Sequence, residues 1–107
     1  MDANRRPTAL LVDDDPLSRK SEQVRLEDEG YTVFVAGDQA DGLSRARQAS
    51  PNVIFVHLVS KSSGNLSFIQ SLRSDDACRH MPIVVMRGET DKRVARTKLK
   101  SVPRDAW

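Results

Sequence analysis

Three aspartates stand in a row, Asp13, Asp14 and Asp15, at the end of the apolar run Ala9-Leu10-Leu11-Val12. Adjacent carboxylates repel one another, and burial raises at least one of their pKa values unless a cation lies near. Such a cluster therefore either holds a cation or is neutralised by cationic side chains; Arg87 and Lys61 are the candidates. His57 lies near the end of a second apolar run, Asn52–Val59. A strand-end imidazole ordinarily hydrogen-bonds a neighbour. With Asp13 and Asp14 it also makes a weak candidate set for zinc or nickel, since imidazole and carboxylate can share such ions. The third feature is basic: residues 87–104 carry seven Lys and Arg against Glu89 and Asp91. Within it Lys92, Arg93 and Arg96 form a candidate docking surface for an acidic protein partner. A solvated helix face is the plainer reading of such a run. Nucleic acid is the weaker partner, because no recognition helix, aromatic stacking set or zinc spacing accompanies the charge.

These residues need a scaffold, and short β-branched runs alternate with longer polar segments to supply one. Strands are expected at Thr8–Asp13, Tyr31–Ala36, Asn52–Val59 and Ile83–Met86. Helices are expected at Asp15–Glu29, Asp38–Ala49, Leu66–Arg73 and Thr90–Ser101. Asp15 suits the cap of the first helix, Pro16 its first turn and Gly30 its end. The expected inward stripes are Leu17, Val24 and Leu26, then Ala40, Leu43 and Ala46, then Leu66, Ile69 and Leu72. Asn52–Val59 shows no alternation, which fits a central strand buried on both faces. Strand and helix alternating at this spacing argue for right-handed βαβ units and a parallel sheet. The working site of such a sheet lies beyond the carboxyl ends of its strands, where strand order reverses. Asp13–Asp15, His57–Lys61 and Arg87–Glu89 all fall there.

Composition narrows the rest. With 107 residues, 38% hydrophobic and 30% charged, the chain suits one globular domain, read as a tail at 1–7 followed by 8–107. No apolar run is long enough to cross a bilayer or serve as a secretion signal, and the single cysteine, Cys78, forms no internal disulfide. A cytoplasmic protein is expected. A net charge of +2 does not by itself point to nucleic acid.

The ordered blocks Leu10-Leu11-Val12-Asp13-Asp14-Asp15-Pro16, Glu29-Gly30-Tyr31-Thr32-Val33, Ala49-Ser50-Pro51-Asn52-Val53-Ile54, Leu72-Arg73-Ser74-Asp75 and Met81-Pro82-Ile83-Val84-Val85 resemble the response-regulator receiver family. The resemblance covers about residues 8–88. It implies a flavodoxin-like three-layer sandwich with strand order 2-1-3-4-5, and a switch point where an acidic pair holds magnesium. Asp13 and Asp14 match that pair.

The remaining features of the family's site depart from its pattern. His57 occupies the place of the phosphoryl-accepting aspartate. Imidazole supplies neither that nucleophile nor the hard oxygen ligand magnesium prefers. Arg87 matches the family's Thr or Ser after the fourth strand and could pair with Asp13 and Asp14. Lys61 takes the place of a loop proline. The family's Lys-Pro pair would align beyond Trp107, so the fifth strand is expected to be truncated or missing. The resemblance thus implies a pseudo-receiver: no enzyme, no cofactor, no metal, and signalling through protein partners. A homodimer through an uncovered fourth-strand edge is a further expectation. The competing readings are a receiver still phosphorylated or metal-binding at the acidic pocket, and weak nucleic-acid binding through residues 87–104.

Overall fold

The computed structural model describes residues 6–60 and 63–86. In chain order these form β1 (Thr8–Asp13), α1 (Pro16–Asp28), β2 (Thr32–Ala36), α2 (Gln39–Ala49), β3 (Val53–His57), α3 (Gly64–Arg73) and β4 (Ile83–Val85). The strands make one parallel sheet ordered β2-β1-β3-β4. The flavodoxin-like α/β fold expected from the resemblance is therefore present. Lys61, Arg87, the expected helix at 90–101 with Lys92, Arg93 and Arg96, and any fifth strand lie outside the described residues.

Sheet order explains the layers. The chain steps from β1 to β2 on one side, then returns across β1 to place β3 on the other. Right-handed crossovers in opposite directions put α1 on one face and α2 and α3 on the other. Two apolar clusters result. Ala9, Leu11, Leu26, Tyr31, Val53, Phe55, Val84 and Met86 pack on the α1 face. Leu10, Val12, Ala46, Ile54, Val56, Phe68, Leu72 and Cys78 pack on the α2–α3 face. Tyr31 and Phe55 meet edge to face at 5.6 Å between ring centres, a favoured aromatic geometry.

Helix ends follow the local sequence. Asp15 caps α1, its side chain accepting from Ser18 N at 3.3 Å, and Pro16 occupies the first turn, where its missing N–H costs nothing. Gly30 takes φ +105° to leave the helix, a conformation glycine adopts without a Cβ clash. Asp38 caps α2 by accepting from Asp41 N at 2.8 Å.

Four expectations need correction. The first concerns the apolar stripe of α1: only Leu26 is buried, while Leu17 and Val24 face solvent. In α3 the inward residues are Gly64, Phe68 and Leu72, a single row at i, i+4 spacing, and Leu66, two positions off that row, is exposed. Ala40 is likewise exposed, and Gly42 takes the inward place beside Ala46 in α2. Finally, β3 ends at His57 and not at Val59. The amides of Leu58, Val59 and Ser60 leave the sheet for side-chain acceptors, and Val59 turns outward.

Candidate functional site: an imidazole in an acidic pocket

Register creates the site. In the β1–β3 ladder Leu11 stands opposite Phe55, Val12 opposite Val56 and Asp13 opposite His57. The two polar residues thus emerge side by side at the carboxyl ends of adjacent strands, at the point where strand order reverses. Asp13 is fully buried and His57 is 8% exposed. Buried polar groups of this kind need partners.

They find them in each other and in α1. His57 Nδ1 lies 3.2 Å from Asp13 Oδ2 and 3.2 Å from Ser18 Oγ. The Ser18 hydroxyl in turn lies 2.6 Å from Asp13 Oδ2. Proton bookkeeping fixes the direction of each bond. A carboxylate only accepts, so Ser18 O–H donates its one hydrogen to Asp13 and keeps its lone pairs for the imidazole. The imidazole must then carry its hydrogen on Nδ1, which donates to both oxygens. Asp13 Oδ1 accepts from Asp15 N at 2.9 Å, and the Asp13 carbonyl accepts from Arg19 Nη1 at 2.8 Å. Asp13 thereby ties the first turn of α1 to the tip of β3.

Asp14 does something else. Its carboxylate turns away from Asp13 toward the β3–α3 turn. Oδ1 accepts from Val59 N at 3.1 Å, and Oδ2 accepts from Ser60 N at 3.0 Å and from the Ser60 hydroxyl. Burial pushes the Asp14 carboxyl up. Hydrogen bonds from the Ser60 side chain and the backbone N–H groups of Val59, Ser60 and Asp14 itself outweigh that and hold it below the usual carboxylate range. Among the described residues each carboxylate has its own set of donors, while Arg87 and Lys61, the cations expected to neutralise the pair, lie outside those residues. Beside Asp14 runs an open groove of about 540 Å³ between the first turns of α2 and α3, bordered by Gln39, Leu58, Ser60 and Ser67.

The family resemblance implies magnesium at this pair, and the donors present do not fit it. Magnesium calls for oxygen ligands converging in tight octahedral geometry. Here the two carboxylates face different elements, and the third position offers an imidazole whose Nδ1 is already a donor. Among the described residues no three His, Cys, Asp or Glu side chains gather as a metal-ligand group, and Asp13, Asp14 and His57 form none.

Sequence reasoning missed Ser18 and Asn65. Ser18 reads as a defect in a weak apolar stripe; its i+5 spacing from Asp13, one turn into a capped helix, was the available signal. Asn65 accepts from Leu58 N at 2.7 Å and so holds the other side of the turn. Cys78 is buried near Asp75 in the turn after α3; burial, then the negative charge of Asp75, pushes its thiol up and leaves it unreactive.

Comparison with known proteins agrees with the fold. CheY4, a chemotaxis response regulator of Vibrio cholerae, superposes with a TM-score of 0.69 and 26% identity, covering 92% of this chain and 81% of its own. PilH of Pseudomonas aeruginosa is 29% identical over 86 residues, 78% of this chain and 71% of PilH. The DNA-binding response regulator MtrA of Mycolicibacterium smegmatis is 29% identical over 86 residues, 80% of this chain and 36% of MtrA. The chain spans well under half the length of such regulators. No described helix is long and apolar enough to cross a membrane. A model of the response regulator receiver domain matches residues 9–103, and with that match, the strand order and the acidic pair at the switch point, the chain belongs to the response-regulator receiver family.

Proposed function

We propose that this receiver domain signals without accepting a phosphoryl group, as a pseudo-receiver that acts through protein partners. One observation carries the reading: His57 sits opposite Asp13 at the tip of the central strand, its Nδ1 committed to that carboxylate. The position that the family resemblance gives to a reactive aspartate holds no carboxyl nucleophile. The acidic residues that remain are occupied. Asp13 is sealed from solvent and Asp14 accepts three hydrogen bonds, so neither presents a free oxygen pair to phosphorus.

The output surface in this reading comprises the turn after His57, the exposed side of α3 and the basic segment with Lys92, Arg93 and Arg96. Val59 and Leu66 supply exposed apolar contacts on the first two. Lys61 and Arg87 are the cations proposed to sit closest to the pocket. An acidic protein partner fits the charge of residues 87–104 better than nucleic acid does. β4 is the outer described strand on its side of the sheet, which also makes pairing with a second copy part of the proposal. Light scattering that stays monomeric over a wide concentration range counts against that pairing.

The test of the reading is incubation with a small acyl phosphate and magnesium, followed by intact mass. An unchanged mass is expected. An acid-labile adduct on any pocket residue overturns it and favours a receiver that still takes phosphate.

A further inference from the structure

The family resemblance assigns the acidic pair to a cation, while the donors around the pair draw its two carboxylates toward different elements. From that disagreement we infer that Asp13 and Asp14 work as internal anchors, and that Asp14 is a cation-independent latch holding the turn after β3 in a single conformation.

Lone pairs give the reason. A carboxylate offers about four acceptor sites. Asp14 uses three, on Val59 N, Ser60 N and the Ser60 hydroxyl. Asp13 uses three others, on Asp15 N, Ser18 Oγ and His57 Nδ1. No donor is common to the two, so the pair does not converge on one point. The turn is also gripped from its other side, by Asn65 of α3 on Leu58 N. Three successive amides, 58 to 60, therefore end on side chains in place of a neighbouring strand. That is what stops β3 at His57 and keeps Val59, 56% exposed, pointing outward. In this scheme the surface around Val59 is displayed all the time, with no cation or phosphoryl group needed to order it. Charge-assisted acceptance strengthens the latch, since bonds to an ionised carboxylate exceed neutral ones about twofold in strength.

The experiment is amide hydrogen exchange on the whole chain by NMR, in chelator and in excess magnesium. Val59 and Ser60 amides should be protected equally in both. Asp14→Asn retains one acceptor oxygen but puts a donor where Ser60 N needs an acceptor. The Ser60 amide should then exchange roughly tenfold faster or more, the loss of one charge-assisted bond, while Leu58 stays unchanged. Asn65→Ala should produce the converse, releasing Leu58 alone. Protection of Val59 and Ser60 that appears only with magnesium overturns the latch, as does an Asp14→Asn chain whose Ser60 amide is unaffected or whose Leu58 rises in step. The comparison of unaltered protein with and without magnesium needs no variant and decides the matter even if Asp14→Asn does not fold. A phosphoryl adduct in the mass experiment would sink the proposed function without touching this result.

Discussion

Replacing His57 by aspartate asks the pocket to do what the family pattern would have it do, and the structure indicates that it will resist. The imidazole now donates to Asp13 Oδ2 at 3.2 Å with both side chains buried. In His57→Asp that donor becomes a second carboxylate. At about 4 Å, and with an effective dielectric of about 20, two like charges repel by about 4 kcal/mol. Losing the existing bond to a charged acceptor adds roughly 1.5–3 kcal/mol. Proton uptake limits the total, since the pair can share a proton. A net loss of about 3–4 kcal/mol at neutral pH is expected, a large share of the roughly 5–15 kcal/mol that holds a domain together. The sign of the pH dependence follows. The folded-state pKa of the new carboxyl pair lies above its unfolded value, so between the two values the folded state binds more protons. Stability then rises as pH falls, by about 1.4 kcal/mol per unit for one proton. Urea denaturation in chelator at pH 7 and pH 5 reads both effects. Adding Asp13→Asn to His57→Asp removes the like charge and should recover most of the loss. A His57→Asp chain within about 0.5 kcal/mol of the unaltered protein at pH 7, with no gain on acidification, refutes the view that His57 and Asp13 form a closed buried pair.

Other expectations test separate parts of the structure. Ser18→Ala should cost about 1–2 kcal/mol, and a double-mutant cycle with His57→Ala should show coupling, because Ser18 bridges the same two groups. Phe68→Ala should cost about 3–5 kcal/mol in urea denaturation and Leu66→Ala under about 0.5, the reverse of what an inward Leu66 requires. At Gly42 a Cβ would come 2.9 Å from Phe68 Cζ and 3.0 Å from Val12 Cγ2. Gly42→Ala should therefore lower the thermal midpoint: overpacking of about 1–3 kcal/mol outweighs a helix-propensity gain of about 1. Tyr31 is the chain's single tyrosine, so ultraviolet titration reads it alone. Burial, then the charge of Glu29, push it up to about 12. Its folded pKa lies above the ordinary tyrosine value of 10.0, so its contribution to stability is full below pH 10 and fades between 10 and 12. Asp14 has the opposite sign: hydrogen bonds depress it in the folded state, so its contribution is present above its unfolded value near 3.8 and is lost as pH falls below that. Asp14→Asn should accordingly flatten the acid limb of the stability curve.

The scaffold was legible because its signals are local and repeated. Thr8–Asp13 announces a buried strand by composition, Asp15-Pro16 and Gly30 punctuate α1, and unalternating apolar residues mark β3 as central. Parallel order then follows from connection rules, and with it the meeting of Asp13 and His57. Less legible was whatever depends on where an element starts or on competition between partners. In α3 two apolar rows compete, Leu66–Ile69 and Phe68–Leu72, and packing against the sheet selects the row through Phe68. The end of β3 was set by Asp14 and Asn65 taking its last amides, a choice that residue types alone do not encode. The same holds for the acidic cluster. Three aspartates in a row suggest either a bound cation or neutralisation by Arg87 or Lys61; the structure separates them, with Asp13 turned to α1 and β3, Asp14 to the turn and Asp15 to its helix cap. Ser18 went unread because its value lies in a contact across sequence, 39 residues from His57.

The proposed function has an Nδ1–H imidazole, bonded to Asp13, in the place that the family resemblance gives to a reactive aspartate. Long-range ¹⁵N NMR of the imidazole tests it directly, first in chelator and then with an acyl phosphate and magnesium. The expected spectrum shows His57 carrying a proton at Nδ1, unchanged by the additions. A ring protonated only at Nε2, or ring nitrogens that shift when donor and magnesium arrive, would contradict it.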